Sequence, residues 1–225
     1  MVHSSLKSLG YIPGGADAVL DLLQDLVGTS GTLVMMTATT SFSYTKHFDL
    51  INSPSETGTM PEVMRRRRPR ARSFVPMTSF VACGAREAGY LEKFDSYLDR
   101  TSPFSRLLEN SGKVLLLGVG FDRCTLYHLA EERFQVPYNT FKTFHGTGID
   151  ANSVGGPISQ TYFVRKDLDL VKDPDRVSRF FAEDNTRCFS ADFGLRRIHA
   201  FKAAAYDEFM SSRLADDNLC LIRSE

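Results

Sequence analysis

Residues 115–131 read Leu115-Leu116-Leu117-Gly118-Val119-Gly120-Phe121-Asp122-Arg123-Cys124-Thr125-Leu126-Tyr127-His128-Leu129-Ala130-Glu131. Gly112-Lys113 leads into the run Val114 to Leu117, whose continuous apolar character predicts a short strand buried on both faces. Gly118-Val119-Gly120 ends that strand, and a helix is expected from about Arg123 to Glu132. Strand, glycine turn and helix form half of an α/β unit. Ligands in such folds bind at the carboxyl ends of strands, so polar groups in this turn are well placed. Asp122, Thr125, His128 and Glu131 recur every three residues, which predicts one helical edge. A carboxylate at i+3 can hold an imidazole in one tautomer and make it more basic. A buried or capping histidine beside a surface glutamate produces the same spacing, so the pattern alone leaves both readings open. No third glycine completes a dinucleotide-binding fingerprint.

Outward from this stretch the same logic repeats. Gly14-Gly15 precedes a predicted helix, Ala16 to Val27, with Val19, Leu20, Leu22, Leu23, Leu26 and Val27 on its apolar face. Gly28 to Gly31 breaks it, and Thr32 to Met36 reads as a buried strand. Residues 37–58 hold no sustained period and read as a long loop, a length that is usually functional or disordered. A helix over 59–68 is expected, entered through a Thr59/Glu62 capping box. Ser73 to Cys83 reads as extended, Ala85 to Phe94 as a helix, and Pro103 opens a further helix over 104–110. After Pro137 the pattern weakens to a strand at 162–164 and helices at 174–184 and 195–210.

Composition bounds the function. The chain has 225 residues, 42% of them hydrophobic and 24% charged, which excludes a largely disordered or fibrous chain. Its 27 Lys+Arg match 27 Asp+Glu, so the surface as a whole is not tuned to nucleic acid or anionic membrane. With Phe at 17 and no Trp, the aromatic core is Phe-built. Cys83, Cys124, Cys188 and Cys220 form no C-x-x-C pair and are expected as buried thiols in a reducing compartment. His47, His145 and His199 lie near neither one another nor paired cysteines, so no metal site is expected. The opening MVHSSLKSLG has no basic stretch followed by an apolar one, and no apolar run approaches the ~20 residues of a membrane span. A cytoplasmic protein follows as the expectation. Arg65 to Arg72 can be read as a solvated helix end, a phosphate site or a nucleic-acid patch, though no stacking aromatics interleave the arginines. The acidic residues between Asp167 and Asp184 fit a charged surface or a lure for a polycation.

Several motifs together resemble one family. Val2-His3-Ser4-Ser5-Leu6-Lys7-Ser8-Leu9-Gly10, followed by Gly14-Gly15, is similar to the opening of the aminoglycoside N3-acetyltransferases. Gly31 to Met35 resembles that family's GTLVMP strand. Ser53-Pro54-Ser55-Glu56-Thr57-Gly58, Glu62, Arg65-Arg66 and Arg72-Ser73 follow its next segment in order. Ser102-Pro103-Phe104 and Lys113 to Glu131 complete a collinear match over residues 2–138, weaker over 139–225.

The resemblance implies a three-layer α/β/α sandwich with a central mixed, mostly parallel sheet, in one domain over 1–225. It implies acetyl transfer from acetyl-CoA to an amine of an aminoglycoside or related amino sugar, on a fold distinct from the GNAT acetyltransferases. His128 corresponds to the family's active-site histidine, the expected general base, and Glu131 to its nearby glutamate. Asp122 and Thr125 are candidates for ordering that site, and Asp49 for meeting the cationic acceptor. His3, Ser4, Ser5 and Lys7 resemble a phosphate-side loop for CoA, with Arg72 and Ser73 as further candidates; amides and hydroxyls at a loop-to-helix junction suit anions. Cys124 needs no nucleophilic role, because no acyl-enzyme is required. The expected partners are acetyl-CoA and a small polycationic amine, with no nucleic acid and no membrane.

Two departures from the pattern carry consequences. Family members hold roughly 30 residues before the opening motif, about one βαβ unit. Their absence here predicts a missing part of the N-terminal strand, and an edge to be paired, covered or shared with a second copy in a homodimer. The family's RS-x-HP reads Arg72-Ser73-Phe74-Val75-Pro76 in this chain. Valine neither titrates nor hydrogen-bonds, so a catalytically impaired relative that binds CoA or a partner without turnover is the alternative reading.

Overall fold

A computed structural model describes residues 1–193 and 196–223. In chain order it holds β1 (Val2–Ser4), α1 (Leu6–Leu9), α2 (Gly15–Val27), β2 (Thr32–Met36), α3 (Phe42–Thr45), β3 (His47–Asp49) and α4 (Thr59–Arg67). Then follow β4 (Phe80–Gly84), α5 (Pro103–Glu109), β5 (Lys113–Leu117), α6 (Tyr127–Arg133), β6 (Asn139–Ile149) and β7 (Gly155–Arg165). The chain ends with α7 (Pro174–Glu183), β8 (Cys188–Phe193), β9 (Arg196–Lys202) and α8 (Ala203–Asp216).

Alternating side chains along the strands sort the core into two layers. Val34, Phe80, Ala82, Val114 and Leu116 point to one core, shared with Phe104 of α5, Leu129 of α6, Phe181 of α7 and Tyr206 of α8. Their neighbours Leu33, Met35 and Val81 point the other way, toward Leu20 of α2 and Met60 and Met64 of α4. Helices therefore lie on both faces of the strands, and the mixed α/β class holds. Phenylalanine dominates the larger core: the rings of Phe121 and Phe201 stack at 5.6 Å, and Phe181 meets Tyr206 edge-on at 5.2 Å.

Hydrogen bonding divides the strands into three sheets, in the orders β1-β5-β9-β8, β2-β4 and β3-β6-β7. Among the described residues only the β1–β5 and β3–β6 pairings are parallel; the others are antiparallel. The sheets are mixed, as expected, with parallel and antiparallel pairs.

Local expectations fail where tertiary contacts outweigh pattern. The helix expected from Arg123 is a 3-10 turn at Phe121–Arg123, with α6 starting only at Tyr127. Asp122 and Thr125 therefore do not share a helical edge with His128. The helix expected over 85–94 is one 3-10 turn, Glu87–Tyr90. Residues 196–202 of the expected helix 195–210 form β9 instead, paired with β5, and Leu195 lies outside the described residues. No capping box opens α4: Gly58 is its N-cap, and Glu62 turns to Arg65 and Ser55. The loop at 37–58 contains α3 and β3.

Candidate active site

The turn after β5 is built around Gly118, whose φ of +72° favours glycine. A Cβ there would stand 2.6 Å from Ser8 Oγ. The Ser8 hydroxyl bonds the Gly118 carbonyl and lies 2.7 Å from that of Ser5, while the Ser5 N–H donates to the Leu117 carbonyl at 3.0 Å. The 5–8 segment is thereby tied to the carboxyl end of β5. A cleft of about 660 Å³ opens here, lined by Ser5, Ser8, Gly118 to Gly120, Asp122, Asp175, His199 and the arginines 123, 196 and 197.

On α6, His128 Nδ1 lies 2.7 Å from Glu131 Oε2. Glu131 is wholly buried and accepts further bonds from Lys172 Nζ (2.7 and 2.9 Å), the Tyr138 hydroxyl (2.9 Å) and Asn139 Nδ2 (3.5 Å). Burial alone would raise this carboxyl, but the bond to His128 and the charge of Lys172 outweigh it and hold Glu131 at about 2. An ionised Glu131 requires the proton of a neutral His128 to sit on Nδ1, leaving a lone pair on Nε2. That Nε2 meets no donor or acceptor among the described residues, and the side chain is 27% exposed. Tyr97 stacks over the imidazole at 6.0 Å and 24°, and Tyr127 flanks it at 4.2 Å. Glu132, also buried, accepts from the Tyr97 N–H at 2.9 Å and from the Ser96 hydroxyl, which ties the Tyr97 loop to α6.

The other residues singled out from sequence are dispersed. Asp122 is exposed, pairs with Arg123 at 2.9 Å and lines the cleft; Thr125 Oγ1 is buried without a partner. His3 is buried, its Nε2 is unpartnered, and burial pulls it down to about 3, so it is neutral and brings no charge to a phosphate. Ser4 is half-buried and Lys7 exposed. Arg72 is engaged at all five N–H positions: Ser79 Oγ, Thr39 Oγ1 and the carbonyls of Thr37, Leu50 and Ser53. It therefore has no donor left for a cofactor, and it braces the 37–54 loop. Ser73 is buried and its hydroxyl accepts from Phe80 N at 2.9 Å. Asp49 closes its own turn, accepting from Ile51 N, Asn52 N and Asn52 Nδ2 at 2.9 Å each. Val75 is fully buried in the apolar core. The Cys124 thiol is buried and pushed up to about 12, which disarms it as a nucleophile.

Four of the clustered arginines pair with carboxylates: Arg65 and Arg66 with Glu62, Arg67 with Asp17 and Asp21, Arg68 with Glu87. Among the described residues no helix is long and apolar enough to cross a membrane, and no group of three metal-capable side chains converges. Sequence reasoning misses Lys172, Tyr138, Asn139, Tyr97 and Glu132. Lys172 sits inside the acid-rich run, where it reads as one more surface charge.

The family model for aminoglycoside 3-N-acetyltransferase matches residues 1–215. Aminoglycoside N(3)-acetyltransferase VIII of Streptomyces fradiae is 32% identical over 168 residues, covering 64% of this chain and 58% of that protein. The chain thus spans little more than half the length of such relatives. The crystal structure of aminoglycoside acetyltransferase AAC(3)-Xa matches with a TM-score of 0.79 at 27% identity, over 100% of this chain and 87% of that one. The binary complex of AAC-IIIb with CoASH matches in fold with a TM-score of 0.80 at 24% identity, over 96% and 89%. The motifs at 2–138, the helices on both strand faces and the match over residues 1–215 agree: the chain belongs to the aminoglycoside 3-N-acetyltransferase family.

Proposed function

We propose that the chain transfers acetyl from acetyl-CoA to an amine of an aminoglycoside or related amino sugar, with His128 as general base. The observation that carries this reading is the anchored imidazole: Nδ1 bonded to a buried, ionised Glu131, and Nε2 free. As the acceptor amine attacks the thioester carbonyl, its C–N bond forms and its nitrogen becomes cationic. Nε2 takes a proton from that nitrogen. The C–S bond then breaks, and His128 returns the proton to the departing sulfur, giving amide and free thiol. The aminoglycoside N(3)-acetyltransferases among its relatives support the acceptor class, and the CoASH complex of AAC-IIIb supports the donor.

The cleft at the ends of β1 and β5 fits an anionic co-substrate. Ser5 and Ser8 supply hydroxyls, and Arg123, Arg196 and Arg197 outnumber the lining carboxylates Asp122 and Asp175, although Arg123 and Arg197 share their charge with Asp122 and Asp192. In this reading it takes over the phosphate-holding role from His3 and Arg72. Asp122, on the same cleft, offers the cationic acceptor a carboxylate.

Acetyl-CoA-dependent release of thiol across a panel of aminocyclitols tests the proposal. Turnover should fall by about 10²–10⁴ in His128→Ala; undiminished turnover in that variant removes the base assignment. Val75 favours one alternative, because an apolar core residue stands where the family pattern has a histidine. In that reading CoA raises the melting temperature and no amine releases thiol.

A further inference from the structure

Glu131 is held from two sides. His128 reaches it from within α6, and Lys172 arrives from the segment before α7, 41 positions along the chain. The Lys172 ammonium contacts both carboxylate oxygens and lies over the rings of Tyr138 and Tyr127, 5.2 and 5.8 Å from their centroids. Its side chain is 12% exposed, so it is enclosed with the carboxylate. The other ionisable groups near the pair are Tyr97 beside the imidazole, Glu132 turned toward Ser96, and Arg165, whose charge reaches Lys172.

A buried carboxylate whose one ionisable cation is an imidazole draws a second proton onto that ring even where neutral donors such as Tyr138 and Asn139 also reach it, because the ion pair is the better-satisfied state. A histidine protonated on both nitrogens cannot act as a base. A cation on the far side of the carboxylate removes this pull while leaving the Nδ1–H bond in place. We propose that Lys172 is the positioning residue of the His128–Glu131 pair, satisfying the charge of Glu131 so that it orients the imidazole without protonating Nε2. The role in turnover rests on the base function given to His128 above; the Lys172–Glu131–His128 linkage can be measured without turnover.

The experiment compares the full chain with K172M, K172Q and K172R. Steady-state kinetics across pH run alongside long-range ¹H–¹⁵N spectra of the histidine rings, with H128Q assigning the His128 signals. In K172M the acid limb of kcat/KM should move up by about one pH unit, a tenfold loss on that limb, with KM within about twofold. The His128 ring titration should move the same way. K172R should restore most of both. Should K172M fail to fold, K172Q keeps a hydrogen-bond donor for Glu131 and lacks the charge, and the same displacement is expected of it. A folded K172M or K172Q with unmoved pH profile and unmoved ring titration overturns the proposal. If the wild type shows no turnover, the acetyl-transfer reading falls, and the ring titration alone decides on Lys172.

Discussion

A carboxylate as enclosed as Glu131 keeps its charge only through the donors around it, so its ionisation is linked to folding. Its folded pKa, about 2, lies below the ordinary 4.5, so the stability it contributes is fully present above pH 4.5 and is lost as pH falls toward 2. Glu131→Gln should cost about 3–5 kcal/mol near neutrality, because Lys172 is left buried without a counter-charge. Urea denaturation of wild type and variant should show that gap narrowing below pH 4.5; a gap independent of pH would detach the carboxylate from folding. His3 acts in a window that opens higher and overlaps that of Glu131 below pH 4.5. Burial lowers it from 6.5 to about 3, so folding favours its neutral form and stability declines as pH drops below 6.5. His3→Phe should flatten the stability profile between pH 6.5 and 4.5 and leave the Glu131 step unchanged. Of this chemistry the sequence exposes His128 and Glu131 through their i, i+3 spacing. It hides Lys172 and Tyr138, which reach the carboxylate only through tertiary structure.

At the level of elements, two arginine populations with similar sequence context have opposite fates. Arg66, Arg67 and Arg68 sit at the end of α4 with exposed or half-exposed ion pairs, which contribute little in water. Arg72, two residues beyond Arg70, is buried and ties the 37–54 loop to Ser79, just before β4, through five donors, with its guanidinium 4.8 Å from the centre of the Phe48 ring. Arg72→Met should therefore cost about 3 kcal/mol or more, since several buried carbonyls lose their donor together. Arg67→Ala should leave the melting temperature within a degree or two of wild type. Equal effects of the two substitutions would refute the division. The same contrast explains which elements the pattern reveals. β5 and α2 are legible because burial and apolar period agree. β9 is masked by Arg196, Arg197 and Lys202, whose charges hide the alternation that pairs it with β5. The long β6–β7 hairpin is masked by Gly146, Gly148, Gly155 and Gly156 and by an exposed outer face.

For the whole molecule, the candidate site residues come from segments that the chain keeps far apart: the turns at 5–8 and after β5 line one cleft, while α6, the start of β6 and the approach to α7 converge on Glu131. What brings them together is a layer of strands with helices on both sides, and that layering is readable in outline from the continuous apolar runs at 32–36 and 114–117, which need cover on both faces. The balance of charges is readable as a sum and not as a map, because its pairing depends on which helix lies beside which. Since β2 and β4 contribute to both cores, neither core can dissolve without exposing the back of the other. Leu116→Ala, in the larger core, and Leu33→Ala, in the smaller, should each cost about 2–5 kcal/mol. Each variant should still unfold in one transition, with far-UV circular dichroism and tyrosine fluorescence coinciding along the urea axis. Tyrosine serves as the probe because the chain has 8 tyrosines and no tryptophan. A biphasic curve in Leu33→Ala, with helix signal lost before the aromatic core opens, would show that the α2/α4 layer peels away by itself and that the two cores are not one cooperative unit.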